Sequence, residues 1–182
     1  MKTISIVNIK GGVGKTTVAM LLAATLQDAG KSVSVDDRDP QKSATILASR
    51  LNITIGRGGE IVIIDTAPRN DHLQTLQAID ESDICLLIAT PNPIDLATTQ
   101  DTARLIESRR RGKPTRLLLN SSRKTRLGTA APDVLKTLSF PALKASLARR
   151  EVYALAMLHG WSILSNEARN ELQRLTIDIL SL

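Results

Sequence analysis

Seven consecutive residues near the amino terminus have the types and spacing needed to bind a phosphate group. Glycines let backbone N–H groups close around a phosphate without a Cβ clash, and a following helix adds the partial positive charge of its N-terminus. A lysine here can reach terminal phosphates, and a threonine hydroxyl can ligate Mg²⁺. We therefore predict a phosphate-binding loop made of Gly11, Gly12, Val13, Gly14, Lys15, Thr16 and Thr17.

This loop departs from the common pattern G-x-x-x-x-G-K-[ST] at its first position. Ile9 stands where that pattern has a glycine, and a second lysine, Lys10, lies next to the glycines. A strand-like run precedes the loop and a helical pattern follows it, which is the context that such a loop requires. The loop therefore places two lysines beside the expected phosphates.

Acidic residues follow two further strand-like runs. Asp65 ends the run 61–64, where a carboxylate can hold a water on Mg²⁺. Asp37 and Asp39 end the preceding strand, at the edge where ligands bind in open α/β sheets. The simpler alternatives are a helix cap at Asp65 and a solvated turn at 36–39.

Strands and helices alternate along the chain, which predicts an α/β fold with a mostly parallel, twisted sheet and helices on both faces. With the phosphate loop, this is the architecture of a P-loop NTPase. One domain is expected over residues 1–182. The predicted strands are 4–9, 32–35, 60–64, 84–89, 116–119 and 142–147; the predicted helices are 15–29, 41–50, 73–79, 96–110, 132–138, 151–159 and 167–180.

Positive charge is concentrated in one region. Residues 104–150 contain thirteen Lys or Arg and only two acids, so they net +11 while the rest of the chain nets −5. Such a region attracts polyanions, or else is a solvated basic face without a partner. Aromatic residues make up only 2% of the chain, which argues against base stacking on aromatic rings. Any nucleic-acid binding should therefore be electrostatic.

Composition also restricts the compartment. Cys85 is the single cysteine, so no intrachain disulfide can form, and we expect a small buried side chain in a reducing interior. No apolar run reaches the length of a membrane span. We expect a cytoplasmic protein.

Three segments resemble the nucleotide motifs of the ParA/MinD family of ATPases. They are residues 10–17, 37–41 (Asp-Arg-Asp-Pro-Gln) and 64–68 (Ile-Asp-Thr-Ala-Pro). The resemblance continues at 90–96, 149–153 and 158–160, so it covers nearly the whole chain. Within the family the chain is most similar to short ParA partition ATPases of the ParF kind, and McdA-type positioning ATPases are built similarly.

The resemblance implies a cycle that uses ATP and Mg²⁺ on the nucleoid and involves no membrane. ATP would close a homodimer in which Lys10 reaches the partner's phosphates. The dimer would bind DNA non-specifically, and a ParB-like or adaptor protein would stimulate hydrolysis. The implied roles are phosphate binding by residues 11–17, metal binding by Thr16, Asp37 and Asp65, catalysis by Lys10, Lys15 and Asp39, and adenine binding by Asn120.

The charge pattern selects residues for DNA contact. Basic residues follow the strand that ends at Asn120, and two more follow the next predicted strand. Such side chains contact phosphates rather than bases. The cluster at 109–111 could equally be a solvated helix end. The candidates are Arg123, Lys124, Arg126, Arg149 and Arg150.

Two departures from the family pattern affect hydrolysis and dimerisation more than nucleotide binding. The segment 41–60 is shorter than usual, and Asp36 stands where an apolar strand residue is expected. Two other functions remain open: a small-molecule ATP-dependent ligase on the same fold, and an ATP-dependent DNA-binding switch with little hydrolysis. A MinD-like membrane anchor is disfavoured because the tail 167–182 is not basic.

Overall fold

A computed structural model of the protein describes residues 1–68, 72–110, 112–122 and 138–182. No helix within these residues is long and apolar enough to cross a membrane. The strands are β1 Lys2–Val7, β2 Val33–Asp37, β3 Thr54–Ile55, β4 Ile61–Asp65, β5 Ile84–Ala89 and β6 Thr115–Leu119. The helices are α1 Lys15–Asp28, α2 Ser43–Leu51, α3 His72–Glu81, α4 Pro93–Arg109, α5 Glu151–His159 and α6 Asn166–Leu180, with a 3-10 turn at Trp161–Ile163.

The strands form one sheet in the order β3-β2-β4-β1-β5-β6, and every strand pair is parallel. The predicted α/β class is confirmed. Because all strands run the same way, their carboxyl ends meet at one edge, and that edge carries the loop after β1 and the acids after β2 and β4. This edge positions the candidate site.

Helices cover both faces of the sheet, and β5 shows how its residues divide between them. Ile84, Leu86 and Ile88 belong to the larger core, which α1, α2, α5 and α6 complete. The alternate residues Cys85 and Leu87 belong to a second core with α3 and α4. This alternation follows from the two-residue period of a strand. It explains why β5 is apolar throughout, and it confirms that Cys85 is buried.

One predicted element differs from the structure, one observed strand was not predicted, and one predicted helix lies outside the described residues. Segment 142–147 runs beside β6, with a bond from the Leu143 amide to the Leu117 carbonyl (2.8 Å), but it forms isolated bridges rather than a strand. The two-residue strand β3 was not predicted, because so short a segment shows no period and both its side chains are exposed. The helix predicted at 132–138 falls almost entirely among residues that the structure does not describe.

Candidate functional site

The loop between β1 and α1 owes its shape to two glycines and is hydrogen-bonded to Asn120, the residue that follows β6. Gly12 and Gly14 have φ angles of 78° and 92°, in the left-handed region that favours glycine. A Cβ on Gly14 would lie 2.5 Å from Asn120 Nδ2. That amide nitrogen donates to the Val13 carbonyl at 2.8 Å. Asn120, predicted to contact adenine, is therefore also a clamp on the phosphate loop.

The start of the loop is anchored by Asn8, which is fully buried. Its Nδ2 donates to the Ile88 carbonyl at 2.7 Å and to Thr99 Oγ1 at 3.0 Å, and its Oδ1 accepts from the Lys10 amide at 2.8 Å. The loop is thus tied to β5 and α4. Sequence reasoning missed Asn8, although a lone polar side chain directly after an apolar strand was the available signal.

Lys15 lies inside the curve of this loop. Its ammonium group donates to the Lys10 carbonyl at 3.0 Å, and the residue is buried. Burial lowers the pKa of Lys15, and the nearby carboxylates of Asp65 and Asp39 oppose that shift. A cation that has lost much of its water and faces the loop interior is placed to bind an anion.

Asp65 ends β4 beside this lysine and is fully buried. Neither of its carboxylate oxygens accepts a hydrogen bond of ordinary geometry within the described residues. Burial is the main cause that raises its pKa to about 7; the adjacent Thr16 hydroxyl and Lys15 lower the pKa, while Asp37 raises it further. Two buried acceptors beside a threonine hydroxyl fit the oxygen ligands and waters that surround Mg²⁺.

Asp37 and Asp39 adopt different hydrogen-bonding roles. The Asp37 carboxylate accepts from the Asp39 amide at 3.1 Å and from the amide and hydroxyl of Thr45 at 2.8 and 2.7 Å. Asp37 therefore fixes the first turn of α2 as well as lying near the candidate metal position. Asp39 is buried and accepts from the Gln41 amide at 2.9 Å. Thr45 was not predicted.

Lys10 points toward its own chain. Its ammonium lies 3.6 Å from Asp95 Oδ1, and Asp95 Oδ2 accepts from the Thr90 hydroxyl at 2.7 Å. The Lys10 side chain is 39% exposed. The lysine is thus accessible and held by one weak ion pair at the rim of the loop.

The five candidate DNA contacts divide into three groups. Arg149 is exposed. Arg150 donates to Glu171 Oε2 at 3.4 Å and to Glu167 Oε2 at 3.3 Å, so acids of α6 neutralise its charge. Both arginines line an open cavity of about 940 Å³, as does Ser122, two residues after Asn120. Arg123, Lys124 and Arg126 lie outside the described residues.

Of the cluster at 109–111, Arg109 is the exposed last residue of α4, as a solvated helix end predicts, whereas Arg110 is buried. Arg110 is buried and donates to the carbonyls of Ile79 and Ser82, so it satisfies the C-terminal end of α3. Arg109 pairs with Asp80. Part of the local excess of positive charge is therefore neutralised by acids from other parts of the chain.

Fold and site together define a P-loop protein: a parallel sheet whose first strand leads through a glycine loop into a helix, with Lys15 and Asp65 at the same edge. A family match described as "AAA domain" covers residues 1–56. "Maintenance of carboxysome distribution protein A" of Halothiobacillus neapolitanus is 30% identical over 192 aligned residues, which cover 92% of this chain and 88% of that protein. The chain therefore belongs to the ParA/MinD family of P-loop ATPases.

Solved structures agree with this fold. A plasmid partition protein from Borrelia burgdorferi bound to AMPPNP superposes with a TM-score of 0.80 at 18% identity, covering 99% of this chain and 98% of that one. A complex of Cyanothece McdA with ATP gives a TM-score of 0.82 at 14% identity, with 98% and 96% covered. At these identities the likeness concerns the fold alone.

Proposed function

We propose that this chain is a single-domain, Mg²⁺-dependent ATPase that partitions or positions a cargo. The observation that carries the proposal is a buried lysine close to the buried Asp65, whose carboxylate oxygens accept no hydrogen bond of ordinary geometry from the part of the chain that the structure describes. Such a pair is costly to bury unless a ligand satisfies it. The relatives support the kind of work: one is named for carboxysome distribution and another for plasmid partition.

The phosphate loop binds ATP through its backbone and Lys15. Gly11, Gly12, Val13 and Gly14 present N–H groups, and α1 adds Thr17 and the positive end of its dipole. Lys15 leaves the Lys10 carbonyl and pairs with the terminal phosphates, which compensate its desolvation. Thr16, Asp65 and Asp37 would hold Mg²⁺, and the bound ion would neutralise phosphate charge.

Asp39 orients the attacking water and accepts its hydrogen bond. It is buried beside Lys15, and its loop geometry is fixed by the Gln41 amide. The base of the nucleotide lies next to Asn120 and extends into the open cavity that Ser122 and Ala148 line. The cavity of about 940 Å³ has room for an adenosine moiety.

ATP closes a homodimer in which Lys10 exchanges Asp95 for the partner's phosphates. The Lys10–Asp95 ion pair at 3.6 Å is weak enough for that exchange. The dimer binds non-specific DNA through the exposed Arg149 and through Arg123, Lys124 and Arg126, with Arg150 giving at most a secondary contact. A ParB-like or adaptor protein stimulates hydrolysis and releases the dimer. The protein is then cytoplasmic and nucleoid-associated.

The test follows a labelled random-sequence DNA duplex by fluorescence anisotropy with Mg²⁺ and ATP, ADP or no nucleotide, at two salt concentrations. We expect binding with ATP alone and a steep fall with salt, because phosphate contacts release counterions. Hydrolysis of ATP is measured in the same samples. Hydrolysis that required a metabolite and ignored DNA would instead indicate a small-molecule ligase, and DNA binding without hydrolysis even with the adaptor would indicate a switch.

A further inference from the structure

Two arginines and two carboxylates form an ion network behind the acids of the site. Asp36 Oδ2 accepts from Arg38 Nη2 at 2.8 Å and from Arg57 Nη1 at 3.1 Å. Glu81 Oε1 accepts from Arg57 Nη1 at 2.7 Å and also from Arg38. The network joins the end of β2, the segment after β3 and the last residue of α3.

The network lies on the opposite side of the chain from the candidate catalytic acids. Side chains alternate along an extended segment, so Arg38 pairs with Asp36 and with Glu81 of α3, while Asp37 contacts Thr45 of α2. Arg38 is also fixed through its backbone, because its amide donates to the Asp65 carbonyl at 3.0 Å. Arg38 is therefore held at its amide and at its guanidinium, between Asp37 and Asp39.

The network also joins the two departures from the family pattern. Asp36 is a charged residue in a strand, and Arg57 comes from the shortened segment 41–60. Arg57 adds a second positive charge, beside that of Arg38, to the half-buried Asp36. The two unusual sequence features form one structural unit.

We propose that Arg57 and Glu81 are positioning residues of the site. Glu81 pairs with the Arg38 side chain directly, and Arg57 bonds Asp36 and Glu81, the two carboxylates that hold Arg38. Through the backbone on either side of Arg38, they keep Asp37 and Asp39 beside Lys15. The predicted effect on hydrolysis rests on the proposed function. The predicted effect on the backbone of residues 37–39 is independent of that function. Exposed ion pairs contribute little to global stability, so the fold survives their removal while the local geometry of the 37–39 segment loosens.

Hydrogen exchange tests the backbone effect without any nucleotide. In Arg57→Ala, peptides that cover residues 36–46 should exchange at least about threefold faster than in the wild type, as expected when a small local ion network is lost. Peptides from α6 should be unchanged. Arg104→Ala is the matched control, because it removes another exposed arginine pair, with Asp101 at 3.3 Å. Unchanged exchange at 36–46, or equal acceleration everywhere, would overturn the proposal.

Kinetics tests the positioning role. We expect Arg57→Ala and Glu81→Gln each to lower kcat for ATP hydrolysis by about tenfold, because a small misplacement of reacting groups lowers the rate by up to ~100-fold. The Kd for a non-hydrolysable ATP analogue should stay within about twofold of the wild-type value, because the phosphate loop is intact. Arg57→Lys should recover part of kcat, and Arg57→Ala with Glu81→Gln should be no worse than either alone. Parallel losses of kcat, affinity and Tm would show a merely structural role. Absence of hydrolysis in the wild type would refute the proposed function. The hydrogen-exchange experiment would still test whether Arg57 and Glu81 position the 37–39 segment.

Discussion

Asp37 and Asp65 are directly paired in the register of β2 and β4, at the carboxyl ends of two neighbouring parallel strands. Their environments differ: Asp37 is engaged by Thr45 and the Asp39 amide, whereas Asp65 has no hydrogen-bond partner of ordinary geometry within the described residues. Burial first, and the charge of Asp37 in a smaller part, raise the pKa of Asp65 to about 7. In the nucleotide-free protein, the charged form of the Asp65 carboxylate is therefore electrostatically unfavourable.

This cost makes the stability of the nucleotide-free protein pH-dependent. The pKa of Asp65 is about 7 in the folded protein against 3.8 when unperturbed. Between these values the folded state keeps a proton that the unfolded state has released, so this residue lowers stability as the pH rises from about 4 to about 7. Asp65→Asn should remove that dependence. In thermal unfolding at pH 8 the variant should have a higher Tm than the wild type, and its free energy of unfolding should be larger by up to about 4 kcal/mol. Near pH 4 the two proteins should be equally stable.

The matched control for this experiment is Asp28→Asn, since Asp28 is exposed at the end of α1. Its Tm should change little at any pH. A variant Asp65→Asn that is no more stable than the wild type at pH 8 would contradict the assignment of the buried charge.

Replacement of the loop lysine should separate binding from folding. Lys15→Ala removes the only side-chain cation that bonds inside the phosphate loop among the described residues, so ATP binding should be lost. Titration calorimetry with a non-hydrolysable analogue measures this. Lys31→Ala, at an exposed position after α1, should bind normally. Normal affinity in Lys15→Ala would contradict the assignment of the loop.

The clamp between the loop and β6 can be tested with a methyl group. Gly14→Ala places a Cβ 2.5 Å from Asn120 Nδ2 and a side chain at φ 92°. The bond from Asn120 to the Val13 carbonyl must then break, with a loss of about 1–3 kcal/mol measured by urea unfolding. Gly58→Ala meets no atom within 4 Å and should be close to neutral. If Gly14→Ala and Gly58→Ala had equal free energies of unfolding, the contact between Gly14 and Asn120 would not be as close as the structure places it.

The two arginines beside the cavity should behave differently when truncated. Arg149→Ala should weaken binding of the ATP form to random DNA and reduce the salt dependence, because an exposed phosphate contact is lost. Arg150→Ala should instead lower Tm, since Glu171 and Glu167 lose a partner. Anisotropy and thermal unfolding of both variants distinguish these outcomes. If Arg149→Ala left DNA affinity unchanged, the contact surface would lie elsewhere, with segment 123–126 as the next candidate.

The sequence predicted those features that carry a local signal. Apolar runs predicted the sheet, and the glycines with Lys15 predicted the loop, because their spacing is fixed by the geometry of one strand–loop–helix unit. Contacts across the sheet have no such spacing. The pairing of Arg57 with Asp36, the burial of Arg110 under α3 and the neutralisation of Arg150 by α6 join residues from distant segments, so the local charge of 104–150 overstated the basic surface.

The bond from Asn120 to Val13 joins residues 107 positions apart. During translation the glycine loop leaves the ribosome early, but the strand that closes it is made much later and joins the outer edge of the sheet. Contacts between residues far apart in sequence form slowly, because closing a long loop costs chain entropy. For most of its synthesis the nascent chain therefore has a phosphate loop without the Asn120 hydrogen bond. That bond forms only after β6 has joined the sheet. An N-terminal fragment that stops short of β6 would carry the motif and lack the binding site.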